Sequence, residues 1–488
     1  MDIKDIEFFE YVNNLKNIEL LDMFSTKWFE CHKNVVLINV YLHNNNELID
    51  VVGDDKMSHI LTKFEVLLRE LITTYFIRFL NFEEKIKKNN KKTLQIDELK
   101  NKNIDTENSH NHIYDYISLY HEMAVLNIFE LILLSDHIYE QIDTYIINLF
   151  AYIYSNLVSF LKTSSDEYFV KPITELPISE ILKEENDKTH NIDRLKIYIN
   201  VINTLRNIID RIHLLNNTIV NKIVDYDILL ILIPLIEKKP WKHDNYIFEQ
   251  NEWIKNEDNA MATVEKQLWI ILYTLILNSI CQEKYEMTNY RRNNILKLRK
   301  YMNENLYEQL PPMKTLHTFI EHLYISKSVF PENKNSYLII DVVPEIFDEI
   351  KNDILKNKKQ VLSMLNNITI SKEVLGSISE VYLSVYEFDH QIKKSKKKTK
   401  EINPIDTNHG EKEKPIDNQY TCNSCKEMAE LQCSQCKQAY YCSKECQVWS
   451  IKIEVIKICV LTYINCVNKI KQNKYIFVCI LDEGLVQP

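Results

Sequence analysis

Glycine is nearly missing from this 488-residue chain, which has four, at Gly53, Gly376, Gly410 and Gly484, against an average usage of about 7 %. Its eleven prolines are also few. Nucleotide-binding loops need glycine where the backbone approaches a phosphate, so a Rossmann or P-loop enzyme is excluded and tight turns are expected to be scarce. A basic excess is missing too. The formal net charge is -10, whereas a nucleic-acid groove needs a basic face to displace counterions, so no nucleic-acid partner is expected. No leader is expected either, since Met1 runs into Asp2, Asp5 and Glu7 without a basic region and apolar core. That points to a reducing compartment, in which Cys31 and Cys281 are free thiols serving as small core residues.

What the chain does have is apolar residues at helical spacing. Leu61 to Phe82 carries them at Leu61, Phe64, Leu67, Leu68, Leu71, Ile72 and Phe76. Ile117 to Leu134 and Lys196 to Leu215 repeat the pattern, and period-two alternation is rare. The sequence predicts an all-α body over residues 1–390, a helical-repeat stack of armadillo or HEAT type without strands between its helices. Lys85 to His110, rich in Lys and Asn, reads as a mobile loop, and Thr163 to Asn191, with Pro172 and Pro177, as a second break. Thr144 to Leu161 has no charge across eighteen residues. Asn148, Ser155, Asn156 and Ser159 interrupt it, so it reads as a buried core helix and no membrane span is expected.

Trp241, Trp253, Trp269 and Tyr273 are expected to anchor a helical layer and not to cage a ligand. His121, next to Glu122, reads as a satisfied helix histidine. His317 and His322, five apart, do not share a helix face closely enough to chelate. No nucleophile, base or acid pair stands at a defined spacing, so no enzyme is expected. Lys393 to Lys400 then opens a charged linker, residues 391–420, with almost no apolar content.

The decisive stretch follows at 421–449, where Cys422 to Trp449 reads CNSCKEMAELQCSQCKQAYYCSKECQVW and holds six of the eleven cysteines. Cys422 with Cys425, and Cys433 with Cys436, form C-x2-C pairs. Two thiolates so spaced reach one Zn²⁺ at ~2.3 Å without strain, whereas a disulfide over so short a loop is strained. Cys442 and Cys446 sit four apart, as on one face of a helical turn. Cys422, Cys425, Cys442 and Cys446 would complete a closed, structural zinc site made wholly of cysteine.

The order of these pairs, followed by Gln447 and Trp449, resembles the MYND finger. That family holds two zincs by interleaved pairs and closes on His-x3-Cys. Here no histidine follows His409, so Cys433 and Cys436 lack their third and fourth ligands and the finger is incomplete. Cys459, Cys466 or Glu454 are the residues that could substitute. Gln447 and Trp449 match the family's peptide-binding Gln and Trp in type. The tail, 450–488, has no such resemblance and reads as a misread exon boundary or a degenerate end.

Upstream, ILLILIPLIEKKPW ending at Trp241, then Trp253, EKQLWIILYTLILNS from Glu265, ILKLRKYMNENLYEQLP from Ile295, TLHTFIEHL from Thr315 and VPEIF from Val343 are similar to the zinc finger MYND domain-containing protein 10 family. The resemblance implies a cytoplasmic adaptor, near the ciliary base, for preassembly of axonemal dynein arms. Its implied partners are a leucine-rich-repeat, CS-domain assembly factor, heat-shock chaperones and dynein chains. The alternative is a nuclear MYND-type co-regulator that binds proline-containing peptides. A SET-MYND methyltransferase is disfavoured, because its Asn-His cofactor motif and its cysteine cluster after the SET domain are lacking.

Overall fold

Ser25 begins the first long helix, Thr26–Asn44, by accepting from the Trp28 amide through Oγ at 3.4 Å, the role of an N-cap. That helix buries Trp28, Phe29, Val35, Val36 and Ile38. The computed structural model describes residues 5–44, 55–95, 109–171, 178–256, 258–325, 342–367, most of 373–385 and parts of 421–450. Side chains are described for these except within 82–113 and 172–190 and at 366–367.

Among the described residues the body is a layered stack of helices, as expected for the all-α class. Ser109–Ile132 packs on Thr26–Asn44, Phe64–Gln95 and Ile178–Asp210. Ile178–Asp210 packs in turn on Tyr139–Lys162 and Thr263–Leu277. One hydrophobic core runs unbroken from Phe8 to Tyr382.

The uncharged stretch is the core helix Tyr139–Lys162, with Ile142, Ile146, Leu149, Phe150, Ile153, Leu157 and Phe160 buried. It is long and apolar enough to cross a membrane, but its apolar face is covered by Phe64–Gln95, Ile178–Asp210, Leu229–Lys238 and Glu345–Lys356. Each of its interrupting polar residues makes at least one hydrogen bond, although the buried Oδ1 of Asn156 has no partner among the described residues. Ser155, Asn156 and Ser159 donate to carbonyls one turn back, and Asn148 Oδ1 accepts from the Phe347 amide at 3.1 Å.

Three expectations need correction. The polar stretch from Lys85 is not all loop, because the helix Phe64–Gln95 continues through it to Gln95. Lys, Glu and Gln are good helix formers and need no core contact to prolong a helix already nucleated. The second break is likewise shorter than read, since Ile178–Asp210 starts directly after Pro177, a residue suited to a helix entrance. Finally, strands do occur between the helices. Lys242–His243, Tyr246–Glu249 and Glu252–Lys255 form an antiparallel meander pairing Phe248 with Trp253 and Glu249 with Glu252. Its second turn is Gln250–Asn251, with φ of 51° and 67°, the pattern of a type I′ hairpin. Asp227, Lys239, Asp244 and Asn259 also hold positive φ, so polar side chains occupy left-handed positions that glycine would otherwise take.

The described tryptophans of this region are core residues, as expected. Trp241, Trp253 and Trp269 are all buried, and Trp253 Nε1 donates to the Tyr168 carbonyl at 2.9 Å. Cys31 and Cys281 are buried free thiols. Burial pushes the Cys281 thiol up to about 11 and, helped by the Glu70 charge, the Cys31 thiol well up, so neither is a nucleophile at neutral pH.

Two buried polar clusters tie the helices together. In one, Arg78 grips Glu122 with Nε to Oε2 at 2.6 Å and Nη2 to Oε1 at 2.9 Å, while Tyr152 Oη donates to Oε1 at 2.9 Å. The Glu122 side chain is fully buried. Burial works against the Arg78 charge, but the Glu122 carboxylate more than reverses this and holds its pKa above the ordinary arginine value. In the other cluster, His32 Nδ1 meets His121 Nδ1 at 2.9 Å and His32 Nε2 meets Tyr382 Oη at 2.6 Å. His121 Nε2 faces Glu70 Oε2 at 3.4 Å. A bare nitrogen against that carboxylate would be repelled, so the proton sits on His121 Nε2. The directions then follow: His32 Nδ1 donates to His121 Nδ1, and Tyr382 donates to His32 Nε2. Burial and the neighbouring His121 hold the His32 pKa well below its usual value, keeping this ring neutral. His121 is thus satisfied at Nδ1, and Tyr382 fastens the end of the body to its first long helix.

Candidate metal centre

The finger is built on a two-stranded antiparallel pair, Leu431–Gln432 with Tyr440–Tyr441, in register Leu431 to Tyr441 and Gln432 to Tyr440. Before it, Thr421 bridges Met428, and the Asn423 amide donates to the Tyr440 carbonyl at 2.8 Å. These bonds bring the turn carrying Cys422 beside the strand that leads into Cys442. Ser443 then starts a helical turn. Its Oγ accepts from the Cys446 amide at 3.2 Å and its carbonyl from the Gln447 amide at 3.2 Å. That turn folds Cys446 back toward Cys442, as the four-residue spacing predicts.

The outcome is a thiol cluster of Cys422, Cys442 and Cys446, whose Sγ atoms all lie within 4.8 Å of one another. Cys422 and Cys446 are buried and Cys442 is half-buried. Cys442 Sγ and Cys446 Sγ are 3.4 Å apart, far beyond a disulfide's ~2.05 Å. Four sulfurs at ~2.3 Å around one tetrahedral ion would lie ~3.8 Å from each other. The spacing and the all-sulfur donor set therefore suit zinc. A small apolar cluster of its own, with Tyr441 beside Cys422 and Cys446 and Ala429, Ala439 and Cys442 packed against it, surrounds these thiols. Among the described residues it shares none with the body's core.

Of the other residues singled out by sequence, Cys425, Cys433, Cys436 and Trp449 lie outside the described residues, as do the linker 391–420 and the tail beyond Ser450. Gln447 is on the turn that carries Cys446 and is 9 % exposed. Sequence reading missed Ser443, whose capping role shows only in the Ser-x2-Cys spacing that sets the turn. It also missed Arg78 as the partner of Glu122. An acidic residue on the apolar stripe Ser118, Glu122, Val125, Phe129 was the available signal, because a buried carboxylate requires a cation.

Comparison with known proteins now bears on both parts of the chain. Residues 422–452 match the MYND finger family model. Over 463 residues the chain is 23 % identical to the zinc finger MYND domain-containing protein 10 homolog of Drosophila melanogaster, a span of 91 % of this chain and 95 % of that protein. No solved structure matches. The resemblance read from the sequence thus extends along nearly the whole length, and the cysteine cluster sits where a MYND finger takes its zinc.

Proposed function

We propose that the chain is a protein-binding assembly factor, whose helical body and zinc-held finger bring chaperones and a leucine-rich-repeat, CS-domain co-factor to dynein chains during cytoplasmic preassembly of axonemal dynein arms. In this reading it is a binding factor and not a catalyst. The observation that carries it is the collinear similarity across body and finger together, covering 95 % of the relative's length. A finger borrowed by an unrelated protein would resemble that relative over residues 422–452 alone.

Loss of an assembly factor acts before transport into the cilium. Cells lacking this protein are therefore expected to build axonemes with normal microtubule doublets and without dynein arms. Electron microscopy of knockout cilia or flagella checks this, and intact arms would sink the proposal. A nuclear location of the tagged full-length protein would favour the co-regulator reading in its place.

We assign the finger's partner contact to Gln447 and Trp449. An extended peptide can add to a zinc-fixed edge and seat one apolar side chain against a flat aromatic. Trp449→Ala is expected to weaken capture of the co-factor by ~2 kcal/mol, about thirtyfold, with zinc content unchanged. An unaltered dissociation constant would leave Trp449 a packing residue.

A further inference from the structure

The thiols of the finger are unequally placed, and that bears on more than holding a metal. Zinc takes cysteine as thiolate, the nucleophilic form of the side chain, so the cluster offers reactive sulfur at neutral pH. Cys422 and Cys446 are 0 % and 1 % exposed, whereas Cys442 is half-buried. An oxidant arriving from solvent therefore meets Cys442 first. A second sulfur is already at hand, because Cys446 Sγ stands 3.4 Å from Cys442 Sγ. The turn at Ser443 holds it there, with Ser443 Oγ accepting from the Cys446 amide and the Ser443 carbonyl from the Gln447 amide, both at 3.2 Å. The two buried thiols of the body have neither advantage. Cys31 and Cys281 are 3 % and 1 % exposed, and burial pushes the Cys281 thiol up to about 11 and the Cys31 thiol well up, so both stay protonated at neutral pH.

We propose that Cys442 and Cys446 are a peroxide-sensitive pair, which closes to a disulfide and makes the finger give up its zinc. The Cys442 thiolate attacks one oxygen of hydrogen peroxide, the O–O bond breaks and hydroxide departs, leaving Cys442 as a sulfenic acid. The Cys446 thiolate then attacks that sulfur, the S–S bond forms and a second hydroxide departs. Two thiolates are oxidised, one peroxide is reduced, and both hydroxides take up protons to become water. The disulfide removes two thiolate ligands at once, and the thiols that remain are too few for a closed tetrahedral site. A dithiol reductant restores both thiolates, so the change is reversible. This inference rests on the zinc-held finger and is independent of the dynein reading.

The test uses the full-length protein and hydrogen peroxide. Zinc is counted by elemental analysis after desalting, before and after the oxidant, and the cysteines are mapped by alkylation, trypsin and mass spectrometry. Trypsin cuts after Lys437, Lys444 and Lys452, which puts Cys442 and Cys446 on separate peptides, 438–444 and 445–452, so a bond between them joins the two. Peroxide is expected to join these peptides and to release zinc in step with the joined fraction. The pair should oxidise at least about tenfold faster than Cys31 or Cys281. Dithiothreitol with added zinc should then separate the peptides and restore the metal. Zinc lost with Cys442 bonded to a different cysteine, or carried to sulfinic acid without any bond, would overturn the pairing. Zinc retained with both cysteines reduced, after peroxide enough to oxidise free cysteine fully, would overturn the proposal and leave the zinc-held finger standing. A protein with no zinc before peroxide would overturn the zinc-held finger and this proposal with it.

Discussion

Arg78→Met is expected to destabilise the helical body by about 3–5 kcal/mol, the cost of leaving one member of a buried ion pair without its partner. Glu122 is fully buried between three helices, and Arg78 meets it with two hydrogen bonds at 2.6 and 2.9 Å. Without the guanidinium, the Tyr152 hydroxyl is the one remaining donor to that carboxylate among the described residues. The chain then has to bury an unsatisfied anion or protonate it, and both raise the free energy of the native state. Adding Glu122→Gln to Arg78→Met removes the charge and keeps an acceptor for Tyr152, so the double variant should regain more than half of the loss. Denaturant midpoints followed by far-ultraviolet circular dichroism measure both. A loss below about 1 kcal/mol for Arg78→Met would mean that water reaches Glu122 and that the pair behaves as a surface bridge.

Zinc is expected to matter more, and only locally. In a module this small the metal's binding free energy is its folding free energy, ~10 kcal/mol or more per structural site. The finger's own apolar cluster has Cys422, Tyr441 and Cys446 as its buried members. A stretch as short as residues 422–452 cannot bury enough apolar surface to offset the chain entropy of ordering it. Cys446→Ala, or chelation of the native protein, should therefore unfold the finger and abolish capture of its partner. The body's helical signal should stay within error, because the two hydrophobic clusters share no residue. A fall in body helicity on chelation would show that the two parts fold together.

The all-α body was legible in the sequence because amphipathic helices announce themselves by period. Thr144 to Leu161 was legible as part of a core helix although it carries no charge, since Asn148, Ser155, Asn156 and Ser159 interrupt it and such side chains can donate to carbonyls one turn back, as Ser155, Asn156 and Ser159 do. The small sheet was hidden for a physical reason. Its strands are two to four residues long, too short for alternation to register, and its turns use Asp244, Gln250 and Asn251 at positive φ where a glycine would have marked them. The extent of helix at Lys85–Gln95 was hidden because a polar helix and a loop share a composition.

At the finger, spacing foretold that Cys442 and Cys446 would lie on one turn, and they do. That Cys422 joins them depends on strand pairing between Asn423 and Tyr440, a contact no local pattern encodes. The His32, His121 and Tyr382 cluster was equally out of reach. Tyr382 lies 350 residues from His32, and only the fold brings them together.

Counting zinc in the full-length protein, by mass spectrometry under native conditions after exhaustive exchange into chelator-free buffer, addresses the zinc-held finger most directly. One tightly held zinc per chain is expected, on Cys422, Cys425, Cys442 and Cys446. It should survive Cys433→Ala with Cys436→Ala and be lost with Cys446→Ala. No zinc at all, or two tightly bound zincs with one lost on replacing Cys433 and Cys436, would contradict it; the second result would mean that Cys459, Cys466 or Glu454 completes a second site.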